Sequence, residues 1–201
     1  MTFAPILAAF LLGTIPSAVL IGRLAGANVR EQGSANPGAA NTWRLAGRVP
    51  GLGVLFLDCL KGWLAAGMLP ALVADAAAWV APAAAAAAVL GHVFNPWLGL
   101  RGGKGVATAA GAIGALAPRL LVGPLAFFVI VFAMRRRVSE ASIVAALLLP
   151  VVAVVYRLLP PGGWPGIELL ILSAALAVLL SWSHRSNIRR IRAGREPQLK
   201  L

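Results

Sequence analysis

Ala141-Ser142-Ile143-Val144-Ala145-Ala146-Leu147-Leu148-Leu149-Pro150-Val151-Val152-Ala153-Val154-Val155-Tyr156 carries no charged side chain until Arg157. Such a run reads as a membrane span, because about 20 predominantly apolar residues in a helix cover roughly 30 Å of hydrocarbon. Outward from it the pattern repeats. Of 201 residues, 60% are hydrophobic and 12% charged, which is more apolar surface than one soluble core hides. Runs near 3–25, 50–70, 73–91, 105–118, 119–134, 141–159 and 166–183 predict about seven transmembrane helices in a single all-α integral membrane domain. Residues 82–90, mostly alanine after Pro82, suit close helix packing better than a lipid-facing surface. Met1-Thr2-Phe3 contains no Lys or Arg, so the first run reads as a retained helix and not as a signal peptide.

Charge orients these segments. The chain holds 18 Lys+Arg against 6 Asp+Glu, a net charge of +12. With an outside N-terminus and alternating helices, one face receives Arg30, Arg44, Arg48, Arg101, Lys104, Arg135, Arg136, Arg137, Arg185, Arg189, Arg190, Arg192, Arg195 and Lys200, and the other only Arg119 and Arg157. That asymmetry is the positive-inside pattern, which places the loops 26–49, 92–104 and 135–140 and a basic tail, 184–201, in the cytoplasm. Trp63, Trp97, Trp164 and Trp182 stand near the ends of spans, as interfacial aromatics do. The tail's charge also suits anionic headgroups, and its end, 197–201, reads as frayed. Nucleic acid is not an expected partner, since the basic residues flank spans and Tyr156 is the sole tyrosine. With one cysteine, Cys59, and two histidines, His92 and His184, neither a disulfide nor a metal site is expected.

Polar residues gather in islands on the face assigned to the cytoplasm. Gly33-Ser34-Ala35-Asn36-Pro37-Gly38-Ala39-Ala40-Asn41, followed by Arg44, offers a hydroxyl, carboxamides, glycines and a guanidinium suited to a phosphate or polyol. Equally, Ser34 and Asn36 could cap a helix. Asp58 and Lys61 share a helical face as a functional or a mutually neutralising pair. The insert Gly91-His92-Val93-Phe94-Asn95-Pro96-Trp97-Leu98-Gly99-Leu100-Arg101-Gly102-Gly103-Lys104-Gly105-Val106-Ala107-Thr108 is not a nucleotide P-loop, having Leu98 and Gly105 where that motif needs Gly and Ser or Thr. It is either a helix-start turn with a snorkelling lysine or a loop in which Lys104, Thr108 and helix-terminal amides meet an oxyanion. His92 could be a base, a donor or scaffold. In Arg135-Arg136-Arg137-Val138-Ser139-Glu140-Ala141-Ser142 the arginines read as a topological stop, with Ser139 and Glu140 capping the next helix and Ser142 one turn inside it. His184 and Asn187 share a helical stripe beyond the last span. There is no GxSxG elbow and no acid–base pair of telling spacing. Chemistry here would rest on orienting anionic substrates and stabilising negative charge.

Those motifs, joined by Lys61-Gly62, Gly91-His92, Gly102-Gly103-Lys104-Gly105-Val106-Ala107-Thr108 and His184-Arg185-Ser186-Asn187-Ile188 with Gly194 and Glu196, resemble the bacterial acyl-phosphate:glycerol-3-phosphate acyltransferases in the same order over nearly the whole chain. Ala35 stands where that family often has glycine, Ala40 where it often has threonine, and Glu140 where an apolar residue is usual. The resemblance implies a seven-span bacterial inner-membrane enzyme with cytoplasmic motifs and no cofactor. Its reaction would move an acyl group from acyl phosphate to the 1-hydroxyl of glycerol 3-phosphate, giving lysophosphatidic acid and phosphate, the first acylation of phospholipid synthesis. By the same resemblance Ser34, Arg44, Lys104 and the glycine-loop amides bind the two phosphates, with Gly33, Lys61, Gly102, Gly103 and Thr108 among the substrate-binding residues. Asn36, Asn41, Ser142, His184 and Asn187 hold the glycerol backbone. An acyl phosphate is already activated, so no enzyme nucleophile is needed, and either its own phosphate or His92 accepts the hydroxyl proton. The competing reading is a transporter for organic phosphate, against which stands the gathering of polar groups on one face instead of at the midplane.

Overall fold

The computed structural model describes residues 3–159 and 166–199; Trp164 and Lys200 lie outside them. Among the described residues all regular structure is helical. Three helical stretches are long and apolar enough to cross a membrane, Ala4–Leu24, Arg48–Ala71 and Val138–Leu158, or four if the bent pair Ile167–Ser183 and Arg185–Arg192 is one span. The chain divides into two compact units, Met1–Ala115 and Leu116–Leu201.

In the first unit the run expected as one helix over 3–25 is broken into α1 (Ala4–Gly13) and α2 (Ser17–Leu24). Pro16 has no N–H to continue the ladder, and two carbonyls in the break, those of Thr14 and Ile15, accept from distant side chains. Asn95 Nδ2 donates to Thr14 O at 2.6 Å, and Lys61 Nζ donates to Ile15 O at 3.0 Å. A short α3 (Ala39–Ala46) precedes α4 (Arg48–Trp63), which widens into a π turn over Leu64–Met68 before the brief α5 (Leu69–Ala71). Pro70 explains the widening, since its ring clashes with the carbonyl one turn back. α6 (Val80–Val93) starts seven residues later than the run expected from 73, with Asp75 at φ 53 in the intervening turn. Pro82 sits harmlessly in its first turn, where N–H groups have no intrahelical partner.

α1 packs chiefly against α6, and small residues make the approach close. Ala9, Ala84 and Ala88 are fully buried, and a Cβ at Gly13 or Gly91 would strike the backbone of Ala88 or Phe10. α7 (Val106–Leu116) lies equally close to α4, with Gly62 against Thr108 O and Gly111 against Cys59 O. Helices in lipid gain no hydrophobic driving force by associating, so close packing between them supplies the attraction.

In the second unit α8 (Arg119–Arg135) packs against α9 (Val138–Leu158), which packs against α10 (Ile167–Ser183). Arg136, at φ 55, ends α8 in the left-handed region. α11 (Arg185–Arg192) leaves α10 at 58°. Two local expectations change here. Ser139 and Glu140 do not cap α9: Ser139 Oγ donates to Glu196 Oε1 at 2.7 Å, while Glu140 pairs with Arg137 at 2.7 Å. Nor is the described end of the tail frayed, because Leu199 is buried and its N–H donates to Arg136 O at 2.7 Å. Apolar side chains cover the outside of both units, among them Leu7, Phe56, Val122, Ile130, Val151 and Val178.

Candidate active site

Within the first unit the glycine-rich insert is a braced loop. Asn95, 2% exposed, donates to Thr14 O and accepts from Trp97 N at 3.0 Å, while the Trp97 indole donates to Thr14 Oγ1 at 2.9 Å. Gly99 and Leu100 are both left-handed (φ 65 and 60), and Leu100 N returns to Asn95 O. Gly102 N then donates to Val93 O at 3.0 Å. Its Cα presses on His92 O, so close that no Cβ fits. Gly103 is crowded from two sides: its Cβ would overlap the His92 ring at Nε2 and stand 2.8 Å from Pro37 O. Only glycine allows this approach. The chain turns at Gly105 (φ 83) into α7, whose first amides have no intrahelical acceptor. Half-buried Lys104 stands beside them at the mouth of that helix.

Contact between Gly103 and Pro37 brings the two sequence islands together. The loop over 26–38 is shaped by Asn41, whose Oδ1 accepts from Ser34 N at 2.9 Å and whose Nδ2 donates to Val29 O and Gln32 O at 3.0 and 3.1 Å. Gly33 (φ 62) abuts that Oδ1, and Ala35 is left-handed at φ 52. Ser34 and Asn36 are half-buried on the loop and Arg44 on α3. No side chain caps α3, whose N-cap is Gly38. The asparagine's amide is therefore spent on holding backbone.

Behind the glycine loop lies a buried charged cluster. Asp58 Oδ1 is 2.9 Å from Lys61 Nζ and 3.7 Å from His92 Nδ1, and all three side chains are less than 10% exposed. Burial of both charges is tolerable because they are paired and the lysine is also hydrogen-bonded. Asp58, His92, Asn95, Ser17, Pro37 and Gly103 share a cavity of about 10 Å³, room for a single water. Lys61 is thus committed to Asp58 and the α1–α2 break. Thr108 is fully buried under α4, its Oγ1 without a hydrogen-bond partner among the described residues.

In the second unit Ser142, His184 and Asn187 are each at most 3% exposed. His184 Nδ1 lies 2.8 Å from Leu180 O; a carbonyl can only accept, so Nδ1 carries a proton. Asn187 Nδ2 donates to Glu196 Oε1 at 2.6 Å, and its Oδ1 is buried with no partner among the described residues. Sequence reasoning missed Glu196 as an organising centre. It is 5% exposed and accepts from Ser139, Asn187 and Arg190. Burial alone would raise its pKa, but those hydrogen bonds and the Arg190 charge outweigh burial and hold it below the ordinary value of 4.5. Asn95 was missed likewise. Its only sequence signal was a place in the insert, whereas Glu196 shared a motif with Asn187. Among the described residues no group of His, Cys, Asp and Glu could hold a metal ion.

Comparison with known proteins agrees on what such a chain is. Residues 3–194 match the family model for glycerol-3-phosphate acyltransferase. The chain is 41% identical over 199 residues to the glycerol-3-phosphate acyltransferase of Trichlorobacter lovleyi, covering 96% of this chain and 94% of that one. It is 38% identical to the Listeria monocytogenes enzyme of that name over 198 residues, with the same coverage of each. Its fold resembles the crystal structure of PlsY, an integral membrane glycerol 3-phosphate acyltransferase, in the glycerol 3-phosphate form. There the TM-score is 0.89 at 33% identity, covering 99% of this chain and 96% of that one. The lysophosphatidic acid form gives 0.85 at 32%, covering 98% and 94%. The transporter reading falls with these matches, and the chain, a membrane-embedded acyltransferase acting on glycerol 3-phosphate, belongs to the glycerol-3-phosphate acyltransferase family.

Proposed function

We propose that the protein transfers an acyl group from acyl phosphate to the 1-hydroxyl of glycerol 3-phosphate, releasing lysophosphatidic acid and inorganic phosphate, at the cytoplasmic face of a bacterial inner membrane. Seven membrane-crossing segments, an outside N-terminus and a cytoplasmic C-terminus follow from the apolar runs and from the skew of the basic residues. The observation that carries the reading is the contact of Gly103 with Pro37, which lays a cationic glycine loop against a second loop bearing Ser34 and Asn36. Two anion-suited loops in contact fit a reaction whose two substrates each carry a phosphate. The related structure's glycerol 3-phosphate and lysophosphatidic acid forms name an acceptor and a product of that chemistry.

Ser34, Arg44, Lys104 and the amides that follow Gly102 take the phosphates, with Gly102 N tying the loop to Val93 O and Gly33 giving the first loop its turn. Lys104 neutralises charge on the departing phosphate. Asn36, Ser142, His184 and Asn187 hold the glycerol backbone, for which the unpartnered Asn187 Oδ1 is a ready acceptor. Asn41, Lys61 and Thr108 act through the shape they give to the walls. In the reaction the hydroxyl oxygen bonds to the acyl carbon, the carbon–oxygen bond to phosphate breaks, and the hydroxyl proton passes to a phosphate oxygen. No enzyme nucleophile intervenes, because the mixed anhydride is its own activated donor. His92, pinned between Asp58 and Gly103, supports the substrate phosphate as proton acceptor and itself serves the loop.

Purified protein in detergent, given acyl phosphate and glycerol 3-phosphate, releases phosphate only when the acceptor is present. Lys104→Ala lowers turnover by orders of magnitude while the protein still inserts. Near-normal turnover of that variant defeats the assignment, and a burst of phosphate without acceptor defeats the absence of an acyl-enzyme.

A further inference from the structure

Where α10 ends, the chain turns 58° into α11, and the exposed side of that turn is a row of cations. Arg185, Arg189 and Arg192 recur at spacings of four and three, which on a helix places them within about 60° of one another. All three are exposed, whereas Asn187, about half a turn away, is buried. Trp182, the next exposed residue back along the row, is 46% exposed and carries Arg185 stacked on its ring, 4.0 Å from guanidinium carbon to centroid. The carboxylates of this unit that make ion pairs are engaged elsewhere: Glu196 with Arg190, and Glu140 with Arg135 and Arg137. Neither Arg189 nor Arg192 makes an ion pair among the described residues.

We infer that this face of α11 is a docking strip for anionic phospholipid headgroups. α10 is an apolar helix of 17 residues with an exposed tryptophan, Trp182, next to its last position, the residue type that marks the level of the headgroups. Four arginines in the eight residues of α11 exclude it from hydrocarbon. The bend therefore leaves α11 at the polar boundary. Its guanidiniums match phosphodiesters in charge and in donor geometry. His184 stands at the bend, as the N-cap residue of α11, and Asn187 lies on the buried side of the helix, so bound headgroups hold in place the element that positions two proposed substrate residues. The inference depends on the membrane location of the chain and not on the identity of its acyl donor.

Native mass spectrometry of the full-length protein in detergent, titrated with phosphatidylglycerol or phosphatidylcholine, tests it. Each basic residue at an anionic surface is worth about fivefold in affinity. Arg185→Gln/Arg189→Gln/Arg192→Gln is therefore expected to weaken the first phosphatidylglycerol by at least about tenfold and leave phosphatidylcholine unchanged. The corresponding triple lysine variant regains most of the binding. Arg119→Gln, which removes an exposed charge at the start of α8, keeps the wild-type affinity. Millimolar inorganic phosphate does not displace the lipid. Unchanged phosphatidylglycerol binding in the triple glutamine variant, an equal loss in Arg119→Gln, or displacement by phosphate overturns the proposal.

Discussion

Replacing Gly103 by alanine should disable the enzyme by moving a loop. The added Cβ would overlap the imidazole of His92 and lie 2.8 Å from Pro37 O, where ordinary contact begins at 3.4 Å. Neither neighbour is a flexible tip. The ring is buried beside Asp58, and Pro37 is buried backbone. Relief at Pro37 alone takes at least 0.6 Å (3.4 less 2.8), and relief at the ring takes more. A crowded interior of this kind costs about 1–3 kcal/mol, which for a chain of this size lowers the unfolding midpoint by roughly 2–4 °C per kcal/mol. The larger effect is catalytic, since a misplacement of about 1 Å costs on the order of a hundredfold in rate. Gly99→Ala is the matched control. It forces alanine into a left-handed backbone, about 1–2 kcal/mol, yet its Cβ meets nothing within 4 Å. Phosphate release and thermal unfolding of both variants in detergent separate stability from alignment. If Gly103→Ala turns over and melts like the wild type, the close packing of the loop on His92 is wrong.

Other positions carry equally direct tests. Asp58→Ala leaves Lys61 buried without its partner and should cost about 3–5 kcal/mol in denaturant unfolding, with Asp58→Ala/Lys61→Met losing distinctly less; equal losses would deny the pairing. Glu196 is held below its ordinary 4.5, so the stabilisation it gives is complete above that pH and is lost as pH falls through the lower folded value. Glu196→Gln should be less stable at neutral pH and show a flatter acid limb, read from unfolding midpoints against pH. At Ala35 (φ 52) glycine relieves a left-handed alanine, so Ala35→Gly should raise stability by up to about 1 kcal/mol after its entropic cost; a lower unfolding midpoint would contradict that backbone.

Some helix ends were legible where charge, proline or glycine closes an apolar run. The segment expected over 119–134 is the helix Arg119–Arg135, and that expected over 166–183 is Ile167–Ser183. The break at 14–16 was not legible, because what makes it tolerable is remote. Lys61 and Asn95, 46 and 81 positions further on, donate to the Ile15 and Thr14 carbonyls in the break. Ser139 followed by Glu140 at a helix start has the composition of a cap, and local pattern alone selects that role. A partner 57 residues away claims the hydroxyl instead. Local propensity reads short-range structure; it is blind to a buried carboxylate that arrives late in the chain.

The same asymmetry governs the site. Glycines and a lysine in Gly102-Gly103-Lys104-Gly105 announce an anion loop, but do not say what keeps it rigid. The answer lies in residues that a list of reactive groups misjudges. His92 is the sort of side chain expected to move protons, yet one edge of its ring faces Asp58 and the other meets Gly103. Asn41 has the amide expected to bind a polyol, yet both ends of it hold the loop that carries Ser34. The proposed acyl phosphate, which would bring its own leaving group and its own proton acceptor, would ask the protein for alignment above all. Spending a histidine, an aspartate and two asparagines on fixing two loops is the outcome expected of such a reaction, and it predicts that substitutions at these supports lower turnover with the loop residues themselves untouched.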